Sequence, residues 1–246
     1  MVLADMAKLK LKISQDVSGC DRLFEMAYDK FECSLSIKSN DYNALIRWGN
    51  ALCEQAASKA AMGDTVQANM LYSLAGEKYT KAHAIKGDDR DVMFNWGNQL
   101  RNRAKILVQR GELEEAETQL ADAAQRYRTC MLLPRKGNDQ LTLDTLINWG
   151  CGWLALARVR HALPRQLEDV SNCFDQARLQ FMKAAALVKR GGLFESQPES
   201  AKKYLDLLSY NMRCLSIVHE RCVQVTEDSN DSPVSPDIDF YECDDL

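Results

Sequence analysis

Apolar residues return every three or four positions along most of this 246-residue chain. Leu45, Trp48, Gly49, Leu52, Ala56 and Ala60 share one face of a predicted α-helix, and the pattern stops at Gly63-Asp64. Leu71, Leu74, Ala75, Lys78, Tyr79, Ala82 and Ile85 continue it until Gly87-Asp88. The same design recurs in Ala123, Tyr127, Cys130 and Leu133 before Pro134, and in Ala177, Phe181, Ala184 and Leu187 before Gly191-Gly192. Alternation with a period of two, the mark of a half-buried strand, is confined to "KLKLKI" at Lys8 to Ile13. The pattern predicts an all-α protein.

The helices repeat in pairs. "LIRWGNAL" at Leu45 returns as "MFNWGNQL" at Met93 and "LINWGCGW" at Leu146. Trp48 and Trp96 are 48 residues apart, as are Phe31 and Tyr79, and Tyr79 and Tyr127. Two markers thus share one period. Trp149 follows Trp96 by 53 residues, and the surplus falls in "LPRKGNDQ", whose Pro, Gly and Asn predict a loop. Another residue enters near Pro164. Gly49, Gly97 and Gly150 lie inside helices, where glycine costs about 1 kcal/mol against alanine, so close helix approach is the expected compensation. Trp48, Trp96 and Trp149 are expected to fill the core beside them, with Tyr79, Tyr127 and Phe181 as the aromatics of the second helices.

This grammar resembles the tetratricopeptide repeat family: a small residue in the first helix, then Ala, aromatic and Ala in the second, then a breaker. The matches are Gly49 with Ala75, Tyr79 and Ala82; Gly97 with Ala123, Tyr127 and Cys130; and Gly150 with Ala177, Phe181 and Ala184. The period here is 48 rather than the family's 34, so each helix gains about seven residues, or two turns. The resemblance implies a right-handed superhelical solenoid of antiparallel helix pairs. The expected organisation is an N-terminal segment (1–18), a half repeat as cap (19–40), three repeats (41–88, 89–138 and 139–192), a capping helix (193–226) and an acidic disordered tail (227–246).

The resemblance also implies a function. First helices of the family line a concave groove that takes a protein or peptide ligand, which places Ile46, Asn50, Cys53 and Glu54 there in one unit. Phe94, Asn98, Arg101 and Asn102 follow in the next, and Ile147, Cys151 and Leu154 in the third. A side-chain amide supplies both donor and acceptor, so Asn50 and Asn98 suit an extended backbone. One branch of the family grips the carboxylate of chaperone tails. Asn50 and Asn95 match its asparagines, but Ile46, Ile147 and Cys151 stand where its cations should be, so that ligand is not expected. A more specific likeness joins "DRLFEMAYDKFECSLSIKSNDYNALIRWGNAL" to plant-type Tom20 import receptors, which implies recognition of organelle targeting peptides. That family carries a C-terminal membrane helix, and this chain ends in "SPDIDFYECDDL".

Composition and charge narrow the remaining classes. The chain is 46% hydrophobic and 27% charged, ordinary for a globular protein, and no apolar run reaches the length of a membrane span. Nine cysteines without a CxxC pair read as reduced core thiols, and a cytoplasmic location, at an organelle surface only through a partner, is the expectation. His83, His161 and His219 lie in different units with no nucleophile, metal or phosphate motif, so neither enzyme activity nor a cofactor is expected. Residues 227–246 hold eight acidic groups and no Lys or Arg, which leaves residues 1–226 at only +4 and argues against nucleic-acid binding. Ser232 and Ser235 precede prolines in that tail and are candidate phosphorylation sites. The expected role is a protein-binding scaffold or adaptor, compatible with service as a subunit of a larger complex.

Overall fold

The computed structural model describes residues 17–134, 139–163, 167–190 and 198–228. Among them are eight α-helices and no strand, and neighbours in the chain pack against each other within two units.

The first unit, residues 1–110, holds α1 (Val17–Ile37), α2 (Tyr42–Ala61), α3 (Thr65–Ile85) and α4 (Arg90–Gln109). Aspartates start three of these helices. The Asp41 carboxylate accepts from the Asn43 and Ala44 N–H groups, Asp64 from Gln67 N–H, and Asp89 from Asp91 and Val92 N–H. Each satisfies donors that the first helical turn leaves without partners. Gly63 takes φ +80°, the left-handed conformation that lets α2 reverse into α3 at no Cβ cost. Phe24, Ala27 and Phe31 of α1 then cluster with Ala44 and Ala51 of α2. Further along, Ala56, Ala68, Tyr72 and Ile106 join α2, α3 and α4.

The second unit, residues 111–246, holds α5 (Leu113–Leu132), α6 (Asp139–Ala162), α7 (Leu167–Lys189) and α8 (Pro198–Asp228). Gly111 repeats the left-handed turn at φ +78°, but Glu112 makes no side-chain cap bond where Asp64 does. Leu133 is extended, as the residue before Pro134 tends to be, and closes α5. Arg160 of α6 ties the unit together from inside: its Nε donates to Glu117 Oε1 at 2.9 Å and its Nη1 to Cys173 Sγ at 3.4 Å. Tyr204 of α8 joins Gln140 and Asp144 of α6, with Gln140 Nε2 donating to both at 3.0 and 2.8 Å.

Three boundaries differ from the sequence reading, one of them at α8, which runs to Asp228 and so enters the expected disordered tail (227–246). α1 begins at Val17, inside the expected N-terminal segment 1–18. Asp139 and Gln140, read as part of the loop, already belong to α6. The small and aromatic positions are where the pattern put them. Ala75, Ala82, Ala123, Cys130, Ala177 and Ala184 are all fully buried, around Tyr79, Tyr127 and Phe181. Each such aromatic contributes roughly 1.5–3 kcal/mol through its burial.

The tryptophans require a correction. Trp96 is buried, but Trp48 and Trp149 are only partly so, and the ring over Gly49 and over Gly150 is that of the second helix. A Cβ on Gly49 would lie 2.9 Å from Tyr79 Cε1, and one on Gly150 only 2.5 Å from Phe181 Cε1. One residue along a helix turns the side chain by about 100°. That turn carries Trp48 to the rim, where it stacks on Phe31 and Tyr28 at 6.2 and 6.1 Å and takes the Lys78 ammonium over its ring at 3.7 Å.

Candidate partner-binding face

The first helices of the first unit, α2 and α4, bring their asparagines together. Tyr79, held by its ring against Gly49, donates its hydroxyl to Asn50 Oδ1 at 2.6 Å. Asn95 Nδ2 approaches the same oxygen at 3.4 Å. Cys53 Sγ lies 3.8 Å from the Tyr79 hydroxyl. Burial pushes the Cys53 thiol up to about 12 against the opposing effect of that hydroxyl, so it is a neutral packing group at ordinary pH. Burial also raises the Tyr79 phenol well above its usual range, with the Cys53 and Glu54 side chains adding to the effect.

This network orients two amides. Asn50 uses its oxygen for Tyr79 and Asn95, which turns its Nδ2 away with no partner among the described residues. Asn95 commits its Nδ2 and keeps Oδ1. A donor and an acceptor therefore stand side by side on two half-buried residues. Of the other expected groove residues in this unit, Ile46, Glu54, Phe94, Asn98 and Asn102 are half-buried, and Asn102 sits by the Tyr72 hydroxyl. Arg101 is buried at 8% exposure, and Glu54, Phe94, Asn98 and Arg101 are all engaged by other groups of the chain.

The second unit does not supply the rest. Ile147, Cys151 and Leu154 are 1%, 4% and 2% exposed, so these three lie in the core rather than on an open groove. Apolar residues at first-helix positions are drawn inside by the same hydrophobic effect that builds the unit. Ser232 and Ser235 fall outside the described residues.

Sequence reading missed one buried polar network. Tyr28 of α1 donates to Gln55 Oε1 at 2.7 Å, Gln55 Nε2 donates to Asp21 Oδ1 at 3.0 Å, and Lys59 Nζ to Asp21 Oδ2 at 2.6 Å. Gln55 and Lys59 are 7% and 9% exposed. The signal was present in their spacing of four on the flank of the α2 apolar stripe, but the partners come from α1, and only packing brings them near. The histidines serve packing in two cases. His83 lies against Trp96 at 5.9 Å and His219 against Phe174 at 4.9 Å. Among the described residues no three His, Cys, Asp or Glu side chains converge as a metal site would need, and no helix is long and apolar enough to cross a membrane.

No protein-family model matches this chain, and no curated protein does either.

Proposed function

We propose that this chain is a non-catalytic protein-binding scaffold whose helix pairs are tetratricopeptide-like repeats of a right-handed superhelical solenoid, and that it reads an extended segment of a partner. The observation that supports this reading is the Asn50–Asn95 amide pair. The Nδ2 of Asn50 and the Oδ1 of Asn95 can serve the C=O and N–H of an extended peptide, and Tyr79 holds Asn50 in place without help from the ligand. The recognition face is α2 and α4 of the first unit; Ile147, Cys151 and Leu154 take no part in it. With Ile46 beside the amides and no cation in its place, the ligand is gripped by its main chain rather than by a terminal carboxylate.

The test is a display of extended 12-residue peptides over the immobilised full chain, followed by titration of the best binder. Replacing Asn50 and Asn95 together by alanine is expected to weaken that binder about tenfold or more, the worth of two lost hydrogen bonds, and to lower the melting temperature because the Tyr79 hydroxyl loses its acceptor, whereas Asn95→Ala alone should weaken binding with the melting temperature little changed. N-methylation of the peptide bond that meets the amides should have the same effect. If no peptide binds, or if the bound one ignores both changes, the reading fails.

A further inference from the structure

The open face of α2 carries one charge that the described protein does not answer. Asn43, Arg47, Asn50, Glu54 and Ala57 recur at spacings of three and four, and none of them is buried. Glu54 is engaged by other groups of the chain, whereas Arg47 is exposed and makes no hydrogen bond or ion pair among the described residues. The residue before each of the other two repeat tryptophans is an asparagine that bonds within the protein: Asn95 Nδ2 approaches Asn50 Oδ1, and Asn148 Nδ2 donates to the Asp144 carbonyl. The repeat therefore does not need a cation at this position. Asp91 is exposed as well, one turn before Asn95, but it lies in the first turn of α4, where the helix N-terminus complements a carboxylate. Arg47, in the second turn of α2, has no such complement.

What Arg47 adds rests on the Asn50–Asn95 pair being the recognition site. Residues three apart on a helix have Cβ atoms about 5–6 Å apart, which puts the Arg47 stem beside Asn50. An extended chain advances about 3.3 Å per residue and turns every second side chain to the same side. The side chain two residues from the peptide unit held by the amides therefore stands about 7 Å away from it, within reach of the guanidinium. That group is a planar fork of donors that keeps its charge and pairs a carboxylate through two bonds. The carboxylate it suits belongs to a side chain rather than to a chain end, because the position that would hold a terminal carboxylate carries the apolar Ile46, turned about 100° from Arg47 around the helix.

We propose that Arg47 sets the charge of the ligand: the partner segment carries an Asp or Glu two residues from the peptide unit that Asn50 and Asn95 grip. The probe is the tightest 12-residue peptide found by display on the full chain, made with an amidated C-terminus, its gripped unit located by N-methylation. Converting the acid at that position to its amide, or Arg47→Gln, is expected to weaken binding about two- to fivefold, the worth of an exposed ion pair. The two changes together should cost no more than either alone, since both remove the same contact. Arg47→Glu should weaken the peptide further, and lysine in place of the acid should restore it. The melting temperature should hold in both variants, because Arg47 has no partner among the described residues. A peptide that weakens with Asn95→Ala but ignores Arg47→Glu, or that has no acid at that position, would overturn the assignment and leave the amide pair as the recognition site. Binding that C-terminal amidation abolishes would place the charge at the chain end and equally overturn it. If no peptide binds, the assignment falls together with the amide pair.

Discussion

A single hydrogen decides two positions in this protein. Gly150 would gain about 1 kcal/mol of helix propensity as alanine, yet its new Cβ would stand 2.5, 2.7 and 2.9 Å from three atoms of the fully buried Phe181 ring. Overpacking against a ring that cannot retreat costs about 1–3 kcal/mol, so the clash is expected to win. Gly150→Ala should lower the urea midpoint, and a rise would show that the ring has room. Gly49 faces the same contest more mildly, with Tyr79 at 2.9 Å or beyond, and Gly49→Ala should cost less. The spacing of the Trp-Gly pairs made both glycines legible from the sequence. Which ring they serve was not legible, because the answer depends on the neighbouring helix.

At the scale of elements, capping aspartates and breakers set the helix starts. Asp64 bonds Gln67 N–H, and Asp64→Ala should cost about 1 kcal/mol by equilibrium denaturation. Asp41 adds a pH dependence. Hydrogen bonds from Ala44 N–H and then from the Ser34 hydroxyl hold its carboxyl below the usual range, against a smaller effect of desolvation. A depressed carboxylate stabilises the fold fully above its unfolded value, near 3.9, and that contribution is lost as pH falls through the lower folded value. Asp41→Asn should therefore flatten the stability profile on the acid side of about pH 4 and leave its slope near neutrality unchanged. A profile identical to that of the parent chain would contradict this account. Helix spans were readable to within a few residues because periodicity, Asp and Gly are local signals. The α1 start and the first turn of α6 slipped, since Gly19 lies in the first turn of α1 and Asp139 and Gln140 directly follow Gly137 and Asn138, so the local breaker signals pointed to loop where packing makes helix.

For the molecule as a whole, contacts divide at Arg110 and Gly111. The first unit has its own apolar clusters and the Tyr28–Gln55–Asp21–Lys59 network, so residues 1–110 should fold alone. That fragment is expected to keep a helical circular dichroism spectrum and to unfold in urea in one cooperative step, with a slope in the range of about 1–3 kcal/mol/M. A broad, sloping transition would show that the unit borrows stability from elsewhere.

The sequence by itself determined the helical class, the 48-residue period, and the buried alanines and aromatics, because each follows from spacing along one chain. Tertiary structure decided the rest. It turned Trp48 to the rim and set Tyr79 over Gly49, and it buried Ile147, Cys151 and Leu154, which a family pattern had assigned to a groove. It also drew Asn50 and Asn95, 45 positions apart, to one shared contact. Periodicity says which side of a helix is apolar, but only the packing of one helix on the next says what that side touches.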